Sequence, residues 1–150
     1  MEEWLANVAD LRRNVGDRAL LRAYHFIREN ARVAEQVRAL KEQDFSRFLQ
    51  LVNDSGLSSF RWLQNIYTAK NPREQGLSLA LALSEDFIQT IGEGACRVHG
   101  GGFAGTIQAF LPTATVTDYT RRMESVFGKG CVRVLNIRTA GSVALRLDSI

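Results

Sequence analysis

Cysteine, proline, histidine and one-sided charge are all scarce in this 150-residue chain. The two cysteines, Cys96 and Cys131, lie 35 positions apart with only His25 and His99 for company. That excludes the common zinc-ligand spacings and any disulfide framework, and makes a reducing cytoplasm the expected setting. Two prolines and the lack of Ser/Gly/Pro-rich linkers, repeats or low-complexity tracts point to one continuous domain over 1–150. No run approaches 18 uncharged apolar residues, and the amino terminus carries acids and paired arginines where a signal peptide would be apolar. The net charge is only +3 and dispersed, so neither a nucleic-acid groove nor a membrane patch is expected. What is present, 45% apolar and 23% charged residues, is the balance of a globular domain rather than a disordered tail.

Helical periodicity fills the first two thirds, over 17–92. From Gly16 to Lys41, Leu20, Ala23, Ile27, Ala31 and Ala34 form one apolar row, and Phe26, Val33, Val37 and Leu40 form a second. Together they predict a helix packed on both sides of its stripe, with Asp17 as N-cap. A shorter helix comes next, with Asp44 as N-cap, Phe45, Phe48, Leu49 and Val52 inward, and Gly56 as its left-handed end. Ser58 or Ser59 then caps a segment carrying Phe60, Leu63, Ile66 and Tyr67. Asn71-Pro-Arg-Glu74 has the form of an N-cap, a proline at the first helical position and a capping-box acid. The helix it opens runs to Gly92 and is apolar around much of its circumference, which places it centrally.

Six of the twelve glycines fall between Gly92 and Gly105, and beyond them the period changes. Ala95 to His99 and Thr106 to Leu111 read as strands, the second with Ile107, Ala109 and Leu111 on one face before Pro112 stops it. Thr115 or Thr117 caps a helix with Val116, Tyr119, Met123, Val126 and Phe127 inward, ended by Gly128-Lys-Gly130. Val132 to Ile137 and Val143 to Leu147 read as two further strands joined by a Thr139-Ala-Gly-Ser142 turn. The order over 94–148 is β–loop–β–α–β–β, so the expected class is α+β, a mostly antiparallel four-stranded sheet covered by helices.

The loop His99-Gly-Gly-Gly-Phe-Ala-Gly-Thr106 has two readings. Its consecutive N–H groups can form a nest for a phosphate. Alternatively it is a crowded crossover between strands, anchored in the core by Phe103. Neither a Walker A sequence nor a dinucleotide fingerprint is present, because no Gly-Lys-Ser/Thr occurs and the loop leads into a strand.

Gly94-Ala-Cys-Arg-Val-His-Gly-Gly-Gly-Phe-Ala-Gly-Thr106 resembles the third signature motif of the GHMP small-molecule kinases, galactokinases in particular, which usually reads Gly-Ala-Arg-Met-Thr-Gly-Gly-Gly-Phe-Gly-Gly-Cys. Leu21-Arg-Ala-Tyr-His-Phe-Ile-Arg-Glu-Asn-Ala-Arg-Val33 is similar to their Arg-Ala-x-His-x-x-x-Glu-x-x-Arg helix. Ala39 to Phe48 and Leu51 to Ser55 are similar to the segment that galactokinases carry directly after that helix. The resemblance runs from about Asp10 onward and implies the carboxy-terminal portion of such a kinase, with a ferredoxin-like sheet. It also implies that the intact enzyme uses ATP and Mg2+ to phosphorylate the C1 hydroxyl of galactose.

By the same resemblance His99, Gly100, Gly101, Gly102, Phe103, Ala104, Gly105 and Thr106 support the triphosphate loop. The sugar-contacting first motif, the Asp and Arg at the reacting hydroxyl, and the Pro-x-x-x-Gly-Leu-Ser-Ser-Ser-Ala motif have no counterpart here. Ser55-Gly-Leu-Ser-Ser-Phe60 shares only Gly-Leu-Ser-Ser with the last of these; Val52 stands for its proline and Phe60 for its third serine, so it reads as a helix-end turn. Gly56 for the family's histidine, Ala104 for a loop glycine and His99 for Thr or Ser put the sugar in question more than the fold.

No catalytic residue and no metal ligand set is assigned. Phosphoryl transfer needs a phosphate cradle, a metal and a group orienting the nucleophile, and this chain offers part of the first. Glu85 and Asp86 diverge by about 100° on a helix and read as a solvated face. His25 reads as a packing histidine and Cys96 as a buried thiol. His99 and Arg97 are open between a phosphate contact and a surface role. The chain alone is expected to be catalytically incompetent and to bind neither ATP nor Mg2+ tightly. Its expected partner is the amino-terminal kinase half, or a second copy through the surface that half would cover. The alternative is a free-standing interaction module on the same scaffold.

Overall fold

The computed structural model describes residues 2–103 and 105–137. Its elements run α1 (Glu2–Val15), α2 (Asp17–Lys41), α3 (Phe45–Ser58) and a π-helical turn (Ser59–Leu63). They continue with α4 (Gly76–Ile91), β1 (Ala95–His99), β2 (Thr106–Phe110), a 3-10 turn (Thr113–Thr115) and α5 (Val116–Phe127). The mixed α+β class holds. β1 and β2 pair antiparallel, Ala95 opposite Phe110 and His99 opposite Thr106.

The core sits between this hairpin and α4. Ile66, Leu81, Cys96 and Val98 form one buried cluster, and Phe87, Tyr119 and Met123 form another. Ile107 and Ala109 pack against both, on the alternating face of β2. Phe87 meets Tyr119 edge-on at 5.4 Å between ring centroids. The Tyr119 hydroxyl is paired with Ser84 Oγ at 2.8 Å, which satisfies both groups where they are buried. Helix α4 is thus central, as its composition implies, and it ends at Gly92 in the left-handed conformation (φ 79°).

Several boundaries differ from those read in the sequence. Helix α4 begins at Gly76, not at Asn71. Glu74 N–H donates to Asn71 O at 3.2 Å, so Asn71 to Glu74 is a turn with Pro72 at its second position, where a fixed φ serves equally well. Gly56 lies inside α3 and does not end it. Ser58 and Ser59 cap nothing, because the chain runs from α3 straight into the π-helical turn. Phe45 faces solvent, whereas Asp44 caps α3 as expected by accepting from Arg47 N–H at 2.9 Å. Gly16, not Asp17, occupies the N-cap of α2, and the Asp17 carboxylate pairs with Arg12. Val126 and Phe127 are largely exposed on α5.

Two differences concern larger features. Helix α1, whose Trp4, Val8, Leu11 and Val15 are set at a helical spacing, docks through Trp4 on Tyr24 (5.3 Å between centroids), with Trp62 edge-on beyond at 4.8 Å. The described sheet has two strands instead of four. Residues 131–137 carry no regular structure, with Val134 and Ile137 exposed by 69% and 88%; the expected Val143–Leu147 strand and its turn lie outside the described residues. A strand exists only against a paired edge, and none of the described residues pairs with the outer edge of β2 or with 131–137.

Gly56 explains how α3 reaches the hairpin. A Cβ there would lie 3.1 Å from both Cys96 O and Arg97 Cβ, atoms fixed by the strand. The side chain of Asn53, one turn earlier on α3, accepts from Cys96 N–H at 3.0 Å, tying the helix to the strand. Helix propensity alone favours replacing a mid-helix glycine by about 1 kcal/mol. Here overpacking wins: Gly56→Val is expected to destabilise the chain by about 1–3 kcal/mol in urea unfolding.

Candidate functional site

The glycine loop joins the two strands at the solvent edge of the hairpin. His99 is exposed at the end of β1 and Thr106 at the start of β2; Gly100, Gly101 and Gly105 are exposed, and Gly102 is half-buried. Ala104 lies outside the described residues. Gly100 (φ 73°), Gly102 (φ 78°) and Phe103 (φ 60°) are left-handed, a conformation that two glycines accept freely and Phe103 does not. A Cβ on Gly100 or Gly101 would meet nothing within 4 Å, so this crest is open to solvent. Phe103 is 46% exposed, which removes the core anchor on which the crowded-crossover reading depends.

The inner side of the loop rests on Asn65, two residues beyond the π-helical turn. Phe103 N–H donates to Asn65 O at 2.6 Å, and Asn65 Nδ2 donates to Gly101 O at 3.3 Å. A Cβ at Gly102 would come within 2.7 Å of Asn65 Nδ2 and overlap the Asn65 carbonyl oxygen. Only glycine fits there. Nothing in the local sequence marks Asn65, because half of what it supplies is a backbone carbonyl. The arrangement leaves the backbone at Gly100 and Gly101 open to solvent.

Beside this loop, α2 is fastened to α3 and β1 by polar groups. His25 Nδ1 is 2.8 Å from Ser58 Oγ, both buried. Glu29 accepts from Ser55 Oγ and from Arg32, and it also pairs with Arg97 Nη1 at 3.4 Å. Arg97 also donates through Nε to Val98 O, so it serves the scaffold and not a phosphate. Burial holds His25 below its ordinary 6.5, with Arg32 and Arg97 adding to the effect against the opposing pull of Glu29. His25 is therefore a packing histidine, as its place on the helix suggests.

The remaining candidates separate cleanly. Asp86 pairs with Arg122 of α5, and Glu85 projects from an exposed position of α4. Among the described residues no three His, Cys, Asp or Glu side chains converge as a metal site. Burial pushes the Cys96 thiol up to about 12, with the nearby Glu85 charge adding to it, so it is an unreactive core group. Cys131 is exposed. No described helix is long and apolar enough to cross a membrane.

The chain is similar to known galactokinases. It is 34% identical over 111 residues to the galactokinase of Staphylococcus carnosus, covering 74% of this chain and 26% of that protein. It is 30% identical over 108 residues to the galactokinases of two strains of Clostridium perfringens, 72% of this chain and 25% of each. The chain thus spans about a quarter of the length of the curated relatives it matches. These similarities support a galactokinase-like origin. No family model matches the chain, and no solved structure does.

Two measurements check the electrostatics. Because folding lowers the His25 pKa, the unfolded chain takes up the proton first. The stability this group confers is therefore complete above pH 6.5 and is lost as pH falls from there through the lower pKa of the folded chain. Thermal melts of the wild type are expected to drop as pH is lowered below 6.5, with a shallower drop in His25→Gln. Alkylation of the folded chain followed by mass spectrometry is expected to label Cys131 and spare Cys96.

Proposed function

We propose that this chain is the carboxy-terminal part of a galactokinase-like GHMP kinase, whose intact form transfers the ATP γ-phosphoryl group to the C1 hydroxyl of galactose with Mg2+. The sequence likeness to galactokinases carries this reading, and the open glycine crest is the feature it puts to use. His99 to Thr106 wall the nucleotide site and back the triphosphate-binding segment, offering backbone N–H groups in a shape set before the nucleotide arrives. Magnesium bound to the triphosphate would offset its negative charge. The described residues offer no ligand cluster for that ion. The groups that orient the sugar hydroxyl belong to the rest of the kinase, and this chain alone is inactive.

Three surfaces fit a missing neighbour. On α2 the second apolar row faces outward, with Phe26, Val33, Val37 and Leu40 all 45–65% exposed, a stripe too continuous for an ordinary solvent face. Neither the outer edge of β2 nor residues 131–137 have a strand partner among the described residues, and Val134, Leu135 and Ile137 are exposed. α4, β1, β2, α5 and 131–137 are in the order of a β-α-β-β-α-β unit without its first strand. A strand from the rest of the kinase, laid between β2 and 131–137, would complete the ferredoxin-like sheet. It would also leave the crossover through α5 right-handed and parallel.

A stand-alone interaction module is the second reading, and the outward stripe of α2 weighs against it unless the module dimerises. Sedimentation separates the two: the kinase-part reading predicts self-association that mixing with the amino-terminal galactokinase segment abolishes. A coupled assay of ATP consumption with galactose is expected to show no turnover by the 150-residue chain alone. Turnover restored by that segment supports the proposal; robust turnover without it overturns the inactivity of the chain alone.

A further inference from the structure

The glycine loop does not hold its shape by itself. Three uncommon backbone features meet where it touches the rest of the molecule. The π-helical turn Ser59–Leu63 is a form that occurs mostly as single turns at functional places. Gln64 (φ 56°) and Phe103 (φ 60°) are non-glycine residues in the left-handed region. Such conformations persist only where surrounding contacts over-determine them. Ser59 O takes the Gln64 N–H at 2.8 Å and Arg22 Nε donates to Leu63 O at 3.2 Å, while on the loop side the contacts come from Asn65. Asn65 comes directly after Gln64, is 3% exposed, takes the Phe103 N–H on its carbonyl and gives its side-chain N–H to Gly101 O. Its Oδ1 makes no hydrogen bond among the described residues, so the side chain is oriented by its donor toward the loop. The left-handed turn at Gln64 is what presents Asn65 to the loop after the helix ends.

From this geometry we infer that Asn65 is the positioning residue of the glycine loop: it clips Gly101 and Phe103 from behind so that the Gly100–Gly101 crest stays open toward phosphate. The inference rests on the phosphate-loop reading above. Asn65 touches no substrate and acts only through the loop. The side-chain bond is the part a substitution can remove, and an isosteric aspartate separates filling space from donating. Asn65→Asp keeps the volume but replaces the donor with a carboxylate facing the Gly101 carbonyl. If Asn65 merely fills space, Asp restores the wild type; if it donates, Asp is no better than Ala.

The test is amide hydrogen exchange and inorganic tripolyphosphate titration by NMR on the full 150-residue chain. In Asn65→Ala and Asn65→Asp alike, exchange of Phe103 N–H is expected to accelerate about five- to tenfold, the loss of roughly one hydrogen bond. Val98 in β1 should exchange as before. Tripolyphosphate shifts of the Gly100–Gly105 amides should weaken about fivefold in both. Gly102→Ala, which unseats the loop from its own side, gives the same result should either Asn65 variant fail to fold. Wild-type behaviour in Asn65→Asp, or an unchanged loop in Gly102→Ala, overturns the inference. A wild-type loop whose amides are protected but do not shift with tripolyphosphate overturns the phosphate reading instead, and the clip is then decided by the exchange rates alone.

Discussion

Helix α2 is set about its axis by hydrogen bonds together with the burial of Leu20 and Ala39 and the stacking of Tyr24 between Trp4 and Trp62. The face it presents to α3 and β1 carries His25, bonded to Ser58, and Glu29, which accepts from Ser55, from Arg32 of its own helix and from Arg97. Its apolar row through Phe26, Val33, Val37 and Leu40 lies about a quarter-turn away from that face and is left exposed. Breaking one member of such a half-buried set leaves a charge or a polar atom without a partner, which costs more than the net worth of the bond. The same bonds hold Ser55 and Ser58 in register with β1, and through α3 they place the π-helical turn and Asn65 under the glycine loop. The orientation of one helix therefore decides both which surface is left for a neighbour and where the loop is supported.

The polar seam and the outward apolar stripe make sense together. An apolar face is favourable only when water is removed from it, at about 25 cal/mol per Å2. With the stripe uncovered, that contribution is forfeited while the cost of ordering the helix remains. A domain evolved to stand by itself would be expected to turn the stripe inward. Polar bonds that fix the stripe outward instead suit a segment whose second neighbour comes from elsewhere in a longer protein. Among the described residues neither the outer edge of β2 nor the stretch at 131–137 has a strand partner, and a further strand would satisfy both.

How local each signal is decides whether it could be read in the sequence. The end of α4 at Gly92, both strands, the inward alternation of Ile107 and Ala109, and α5 with Tyr119 and Met123 are all written in short-range periodicity and stop signals. Asn71-Pro72 misled because N-cap with proline and turn with proline share a φ value; only the turn bond from Glu74 separates them. Gly56 misled because a helix-ending glycine and a close-approach glycine look alike until β1 is seen against it. The apolar rows of α2 were readable, but the helix is not packed on both sides of its stripe as expected: Ala23, Ile27, Ala31 and Ala34 of the first row are exposed like the second, and the buried residues are Leu20, His25 and Ala39. The glycine loop stood out by composition, whereas Asn65 did not, since its carbonyl could belong to any residue type.

The division of labour at the loop carries a general physical consequence. Glycine-rich backbone is suited to anions because it can bend to expose successive N–H groups, yet the same freedom makes an unsupported loop costly to order on binding. Fixing it from behind removes part of that cost in advance. The clip at Asn65 does so with a side chain and a carbonyl that never face the ligand, leaving the crest at Gly100 and Gly101 free of side chains. Gly102 is glycine for the opposite reason to its neighbours: they leave room for what comes from outside, and it leaves room for Asn65. Three consecutive glycines thus satisfy two separate steric demands, one on each side of the chain.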